Sequence, residues 1–307
     1  MPKIILGMIL ALMAAALNAS IGVFSKVLLQ YGLNPQDIAF FKTLAAFLIL
    51  SLMLINKPFA KQKSAMIKVE SNWQTILLKI ALCALLGIFV LFFFETTAYQ
   101  YGFASNVVVV LMASASVAAL LFGKILLNEN INIAAILGTL SAIAGIFVIS
   151  GANFNASGNT VKMLINAILA GSGYGIFSVL VKKFYLNGGI YLTRILMLFG
   201  SVYLFVPFIL NNHAIDWNLI IIANILALAI LPTILGFYCT TKALNYLTAA
   251  KVQVTELSEP IFATTMAWVF LSELPNINFF IGAIFIILGI VLINQIHKTL
   301  FNKLLAK

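Results

Sequence analysis

Ten apolar stretches of membrane-spanning length fill this 307-residue chain, and the longest polar interruption runs only from Lys57 to Trp73. A bilayer core is about 30 Å thick, so a spanning helix needs about 20 mainly apolar residues. The pattern predicts helices at 4–29, 35–56, 74–98, 103–126, 131–150, 162–184, 189–211, 217–240, 247–271 and 276–297. These runs are continuously apolar rather than alternating, which excludes a β-barrel. Links this short hold no soluble domain.

The formal charge of +10 raises the question of a polyanionic partner until the charges are placed. Lys3, Lys57, Lys61, Lys63, Lys68, Lys79, Lys124, Lys182, Lys183, Lys242, Lys298, Lys303 and Lys307 fall on one side of the predicted topology, and Lys162 alone falls in the opposite links. Cytoplasmic links of membrane proteins carry such an excess of lysine and arginine. The bias predicts both termini in the cytoplasm and explains the basic excess without nucleic acid. Cys83 and Cys239 both lie within spans, outside any disulfide framework or metal-ligand spacing. The run Gly171-Ser172-Gly173-Tyr174-Gly175 follows no strand, so it is not read as a nucleotide loop. No cofactor is expected. Minimal links and no targeting extension point to a bacterial inner membrane.

The two halves of the chain resemble each other. Gly22-Val23-Phe24-Ser25 in the first span recurs as Gly175-Ile176-Phe177-Ser178 in the sixth. Lys42, alone in the second span, has its counterpart in Arg194, alone in the seventh. Thr96-Thr97 near the end of the third span matches Thr240-Thr241 in the eighth, and Leu127-Asn128-Glu129 matches Leu271-Ser272-Glu273. Gly138 and Gly145 recur at the same spacing as Gly282 and Gly289. The expected fold is therefore an all-α integral membrane protein of ten helices in two five-helix repeats, residues 1–155 and 156–307. An odd number of crossings makes the second repeat enter from the opposite side. Inverted repeats of this kind are an architecture of secondary transporters.

Lone basic residues in spans two and seven, Glu259-Pro260 in span nine and Leu-x-Glu after spans four and nine resemble the EamA branch of the drug/metabolite transporter superfamily. The resemblance covers roughly residues 5 to 296. It implies transport of amino acids or related metabolites, often as export. The first repeat departs from symmetry, because Ala115 stands nearest to where Pro260 would have its counterpart.

Ionisable groups inside a membrane are costly and commonly face a bundle interior or a watery cavity. Lys251, Thr255 and Glu259 fall four residues apart on one helical face, and Glu256 flanks it. Two readings stay open: a polar cavity wall, or an ion pair between Lys251 and a carboxylate. Glu95 lies among Phe92, Phe93, Phe94 and Tyr99, where an acid and aromatic faces suit an ammonium group or an interfacial belt. Asn18, Ser114 and Tyr174, near the middles of their spans, are further candidates to line a cavity. The expected substrate contacts are Asn18, Phe92, Glu95, Tyr99, Ser114, Tyr174, Glu256 and Glu259. Lys42, Arg194 and Lys251 are expected to act as structural or gating charges, and Lys26 to snorkel.

The function expected is secondary transport of a small polar organic metabolite by alternating access, with proton or ion coupling, in a monomer or homodimer within the bilayer. The alternatives are choline or quaternary-ammonium uptake, efflux of cationic drugs, and, from another class, a lipid scramblase or intramembrane enzyme. An enzyme would need an acid–base or nucleophile constellation, and the sequence offers none.

Overall fold

The structure, a computed structural model, describes residues 3–67, 72–129, 131–150, 158–211, 214–263, 265 and 277–294. Helices dominate it. We number them by predicted crossing: α1 Lys3–Gln30, α2 Pro35–Met53, α3 Trp73–Tyr101, α4 Ala104–Leu127, α5 Ile133–Ser150, α6 Gly158–Lys183, α7 Ile190–Leu210, α8 Leu219–Ala243, α9 Ala249–Glu256 and α10 Ile277–Asn294. Among the described residues eight helices are long and apolar enough to cross a bilayer, and the apolar helix at Ile133–Val148 is shorter. The chain is an all-α, multi-pass membrane protein. The boundary between the expected halves and the segment Leu271-Ser272-Glu273 lie outside the described residues.

Among the described residues four helices are irregular. α1 breaks at Ala19-Ser20, where the Ser20 hydroxyl donates to the Leu17 carbonyl at 2.8 Å and competes with the helical ladder. α3 widens to a π-helix over Leu85–Val90, and α8 does so over Ala229–Gly236. Pro232 supplies the cause in α8, because its ring lacks an N–H and displaces the carbonyl one turn back. α9 ends at Glu256, turns at 257–258, and is helical again over 259–263. Pro260 again withholds a donor there. α4 has no proline and runs unbroken for 24 residues, so the two repeats differ at this point as the sequence indicates.

The packing has the symmetry that an inverted repeat requires. α5 and α10 are corresponding helices by sequence, and they cross antiparallel. A Cβ on Gly138 would lie 2.8 Å from the Gly289 carbonyl oxygen, and one on Gly145 would lie 2.5 Å from that of Gly282. Each glycine of one helix thus meets the other glycine of its copy. Small residues let backbones approach in lipid, where apolar side chains gain little by leaving the acyl chains. α2 and α7 also correspond and also run antiparallel. Phe40 stacks on Phe208 at 4.6 Å toward one end, and Arg194 Nε donates to Ser51 Oγ at 3.2 Å toward the other. Between the halves, α4 and α6 run parallel, with Gly171 against Leu111 and Gly175 against Ala115. Leu52, Leu78, Leu210 and Leu219 are among the most exposed apolar side chains and face outward.

Candidate functional site

The break in α1, the turn of α3 just past its π segment and the π segment of α8 meet at a cavity. Its polar lining is Asn18, Lys42, Glu95, Tyr174 and Thr233, set among Ile21, Phe92, Leu111, Met112, Pro232 and Phe237. The space open to the centre of a water-sized sphere is about 20 Å³, room for about one water. The cavity is narrow in this conformation. The side-chain oxygen Oδ1 of Asn18 lies 2.6 Å from where a Cβ on Gly236 would stand, so the break in α1 faces the wide turn of α8.

Lys42 and Glu95 face each other across this cavity, with Nζ to Oε2 at 3.5 Å and side chains 1% and 6% exposed. The ammonium also sits over the Phe92 ring, 3.9 Å from its centroid. Desolvating two charges is costly, and their attraction offsets that cost only while both are present. Lys42 therefore stands on the cavity wall, where the sequence reading made it a gating or structural charge. Glu95 is buried in the bundle, not set in an interfacial belt.

Arg194, the counterpart of Lys42, goes elsewhere. Its Nη1 donates to Gln62 Oε1 at 2.8 Å, and with Ser51 it ties α7 to α2 and to the short helix Phe59–Met66. The reason is visible in the repeat. Glu95 precedes Thr96-Thr97, but Cys239 precedes Thr240-Thr241, so the second half offers no acid at the matching place.

Glu256 organises a second cluster. Tyr174 donates its hydroxyl to Oε2 at 2.7 Å, and Thr240 donates to Oε1 at 2.6 Å. The two hydroxyl oxygens are 3.0 Å apart. The carboxylate is fully buried and holds α6, α8 and α9 together. Phe237 links this cluster to the first, packing against Tyr174 at 6.1 Å and edge-on to Phe92 at 5.4 Å.

Glu259, 3% exposed, lies one turn beyond Glu256, past the break in α9. Among the described residues its Oε2 has no hydrogen-bond partner, and neither has the buried Tyr99 hydroxyl. Ser114 is a helix contact rather than a cavity group. Its hydroxyl donates to the carbonyls of Val110 at 2.5 Å and Leu111 at 3.0 Å, beside Gly171. Lys251 is half-buried, and its electrostatic partner is Glu129, not a carboxylate of its own helix. Burial pushes the Glu129 carboxyl above its ordinary range, and Lys182 and Lys251 draw it back. Lys26 donates to the Gly102 carbonyl at 2.7 Å instead of reaching for headgroups.

Sequence reasoning missed Thr233, Thr240 and Phe237 as site groups. The Thr-Thr pair had been visible as a mark of duplication, and its second copy holds the Glu256 carboxylate.

Residues 5–151 and 161–295 match the EamA-like transporter family. A Clostridium kluyveri protein named as an uncharacterized transporter is 25% identical over 293 residues, covering 92% of this chain and 91% of that protein. A protein of Archaeoglobus fulgidus with the same name is 27% identical over 266 residues, covering 85% of this chain and 88% of that protein. A solved crystal structure shares the fold with a TM-score of 0.73 over 96% of this chain and 98% of that one, at 16% identity. The family's unit is matched twice, in tandem, on the two halves whose packing is described above. The chain belongs to the EamA-like transporter family and is a multi-pass membrane transporter.

Proposed function

We propose that this protein exports a small zwitterionic metabolite of the amino-acid class from a bacterial cell by alternating access. The observation that carries the reading is the buried Lys42–Glu95 pair on the wall of a narrow cavity inside the bundle. Each member presents the charge that half of such a solute would otherwise meet. A solute carboxylate would take the place of Glu95 beside Lys42. A solute ammonium would take the place of Lys42 beside Glu95 and over the Phe92 face. The pair thus keeps both charges compensated while the site is empty, which lowers the cost of holding them there.

Alternating access is supported by the antiparallel meeting of corresponding helices, since two inverted halves can exchange conformations about a fixed site. Residues 1–155 and 156–307 are the halves. The lysine distribution puts both termini in the cytoplasm and the α6–α7 link on the inner face. There the Asn187 amide donates to the Met66 carbonyl at 2.7 Å, and its side chain donates to that of Ala65 at 2.8 Å. These bonds join the two halves and would part when the protein opens inward. Export is the direction that the family resemblance implies.

A thermal-shift screen of purified protein tests the substrate class, since a ligand that binds only the folded state raises apparent stability. Amino acids should stabilise the wild type and compete with one another in exchange assays. Stabilisation by choline or cationic drugs, with amino acids silent, would replace this reading with a cation transporter.

A further inference from the structure

We propose that Glu259 carries the coupling proton of this transporter, in a role separate from the substrate contacts of Lys42 and Glu95. The inference rests on the transport reading above. Glu259 is 3% exposed, and its Oε2 lacks a hydrogen-bond partner among the described residues. Among the described residues the groups whose charge would reach it are the carboxyls of Glu95 of α3 and Glu256 of its own stretch, and neither supplies a cation. Tyr99 of α3 and Tyr174 of α6 are the other titratable groups within its electrostatic reach, and both are neutral phenols. Lys42, the cation on the cavity wall, is held by Glu95. An ionised carboxylate without a partner in an apolar interior costs far more than its protonated form. Glu256, three residues away, differs in kind: two hydroxyls donate to it. Two carboxyls in different environments are how one site separates two roles.

The break in α9 gives this group its freedom. The turn at 257–258 interrupts α9 just before Glu259, which opens the helical stretch 259–263 ahead of Pro260, so a change at this break would change what the carboxyl faces. When the cavity opens to the side of lower proton activity, the carboxyl O–H bond breaks. The proton leaves to cavity water, and the electron pair stays on the carboxylate. On the opposite side the carboxylate takes a proton from water again. One proton moving inward for each solute moving outward would drive export.

The test has two arms on the full chain. In the first, wild-type protein in lipid nanodiscs is treated with dicyclohexylcarbodiimide, which adds whole to a protonated carboxyl in an apolar site. Peptide mass mapping should find the adduct on Glu259, fading as pH is raised, with Glu256 spared. No adduct on Glu259 at any pH overturns the assignment, as does one confined to Glu256. This arm needs neither a variant nor a known substrate.

In the second arm, proteoliposomes are loaded with a labelled mixture of the common amino acids. At equal pH, wild type and Glu259→Gln should both exchange solute, because Glu259, expected from the sequence to touch substrate, is not among the residues that line the cavity. A gradient of one pH unit should drive up to about tenfold accumulation in wild type at one proton per solute, and none in the variant. A variant that loses both activities, or keeps both, overturns the proposal, as does accumulation that follows sodium instead of pH. Absence of any wild-type exchange would sink the amino-acid reading alone, and the carbodiimide result would still decide the proton assignment.

Discussion

Lys42 and Glu95 lie 53 residues apart in sequence and 3.5 Å apart in space. Hydropathy picks out each as a costly group within a span, but nothing in a single sequence says that they meet. That pairing depends on the crossing of α2 and α3. It also breaks the internal symmetry, because the repeat offers Arg194 but puts Cys239 where its acid would be. The pair gives a direct prediction. Lys42→Met leaves a buried carboxylate alone and should cost about 3–5 kcal/mol, read as a lowered melting temperature in detergent. Lys42→Met with Glu95→Leu removes both charges and should recover most of that loss. Transport should stay abolished in the double variant. Recovery of transport with stability would make the pair a packing device and remove it from the substrate site.

Helix positions follow closely from the apolar runs, because a span needs a set length of apolar surface and the links are short. The interruptions inside helices are less legible. Pro232 and Pro260 announce two of them. The π segment at Leu85–Val90 has no proline, and only its match in α8 makes sense of it. The glycines of α5 and α10 show the opposite case, where spacing in sequence becomes a contact in the structure. Gly145→Leu must push α5 off α10, since even a Cβ there would lie 2.5 Å from the Gly282 carbonyl oxygen. Overpacking of this sort costs about 1–3 kcal/mol, and folded yield in membranes should fall. Gly158→Leu is the control. Among the described residues a Cβ at Gly158 meets nothing within 4 Å, and its yield should match wild type. Equal yields for the two variants would show that the α5–α10 contact does not hold the halves together.

The whole molecule is two similar halves facing opposite ways. Reporter fusions at Lys63 and Lys183 should both read cytoplasmic, and one at Asn211 should read periplasmic. A periplasmic signal at Lys183 would place the halves in the same orientation and remove the basis for their exchange.

Alternating access itself is tested most directly by two single cysteines in a chain whose Cys83 and Cys239 are alanine. One replaces Tyr99 near the outward end of α3, and the other replaces Gln253 near the inward end of α9. Both native side chains are buried in this conformation. A membrane-impermeant maleimide, added from one side at a time, should reach the first only from outside and the second only from inside. Adding a solute that stabilises the protein should shift the two labelling rates in opposite directions. Simultaneous labelling of both positions at rates unchanged by solute would describe an open channel and contradict the account.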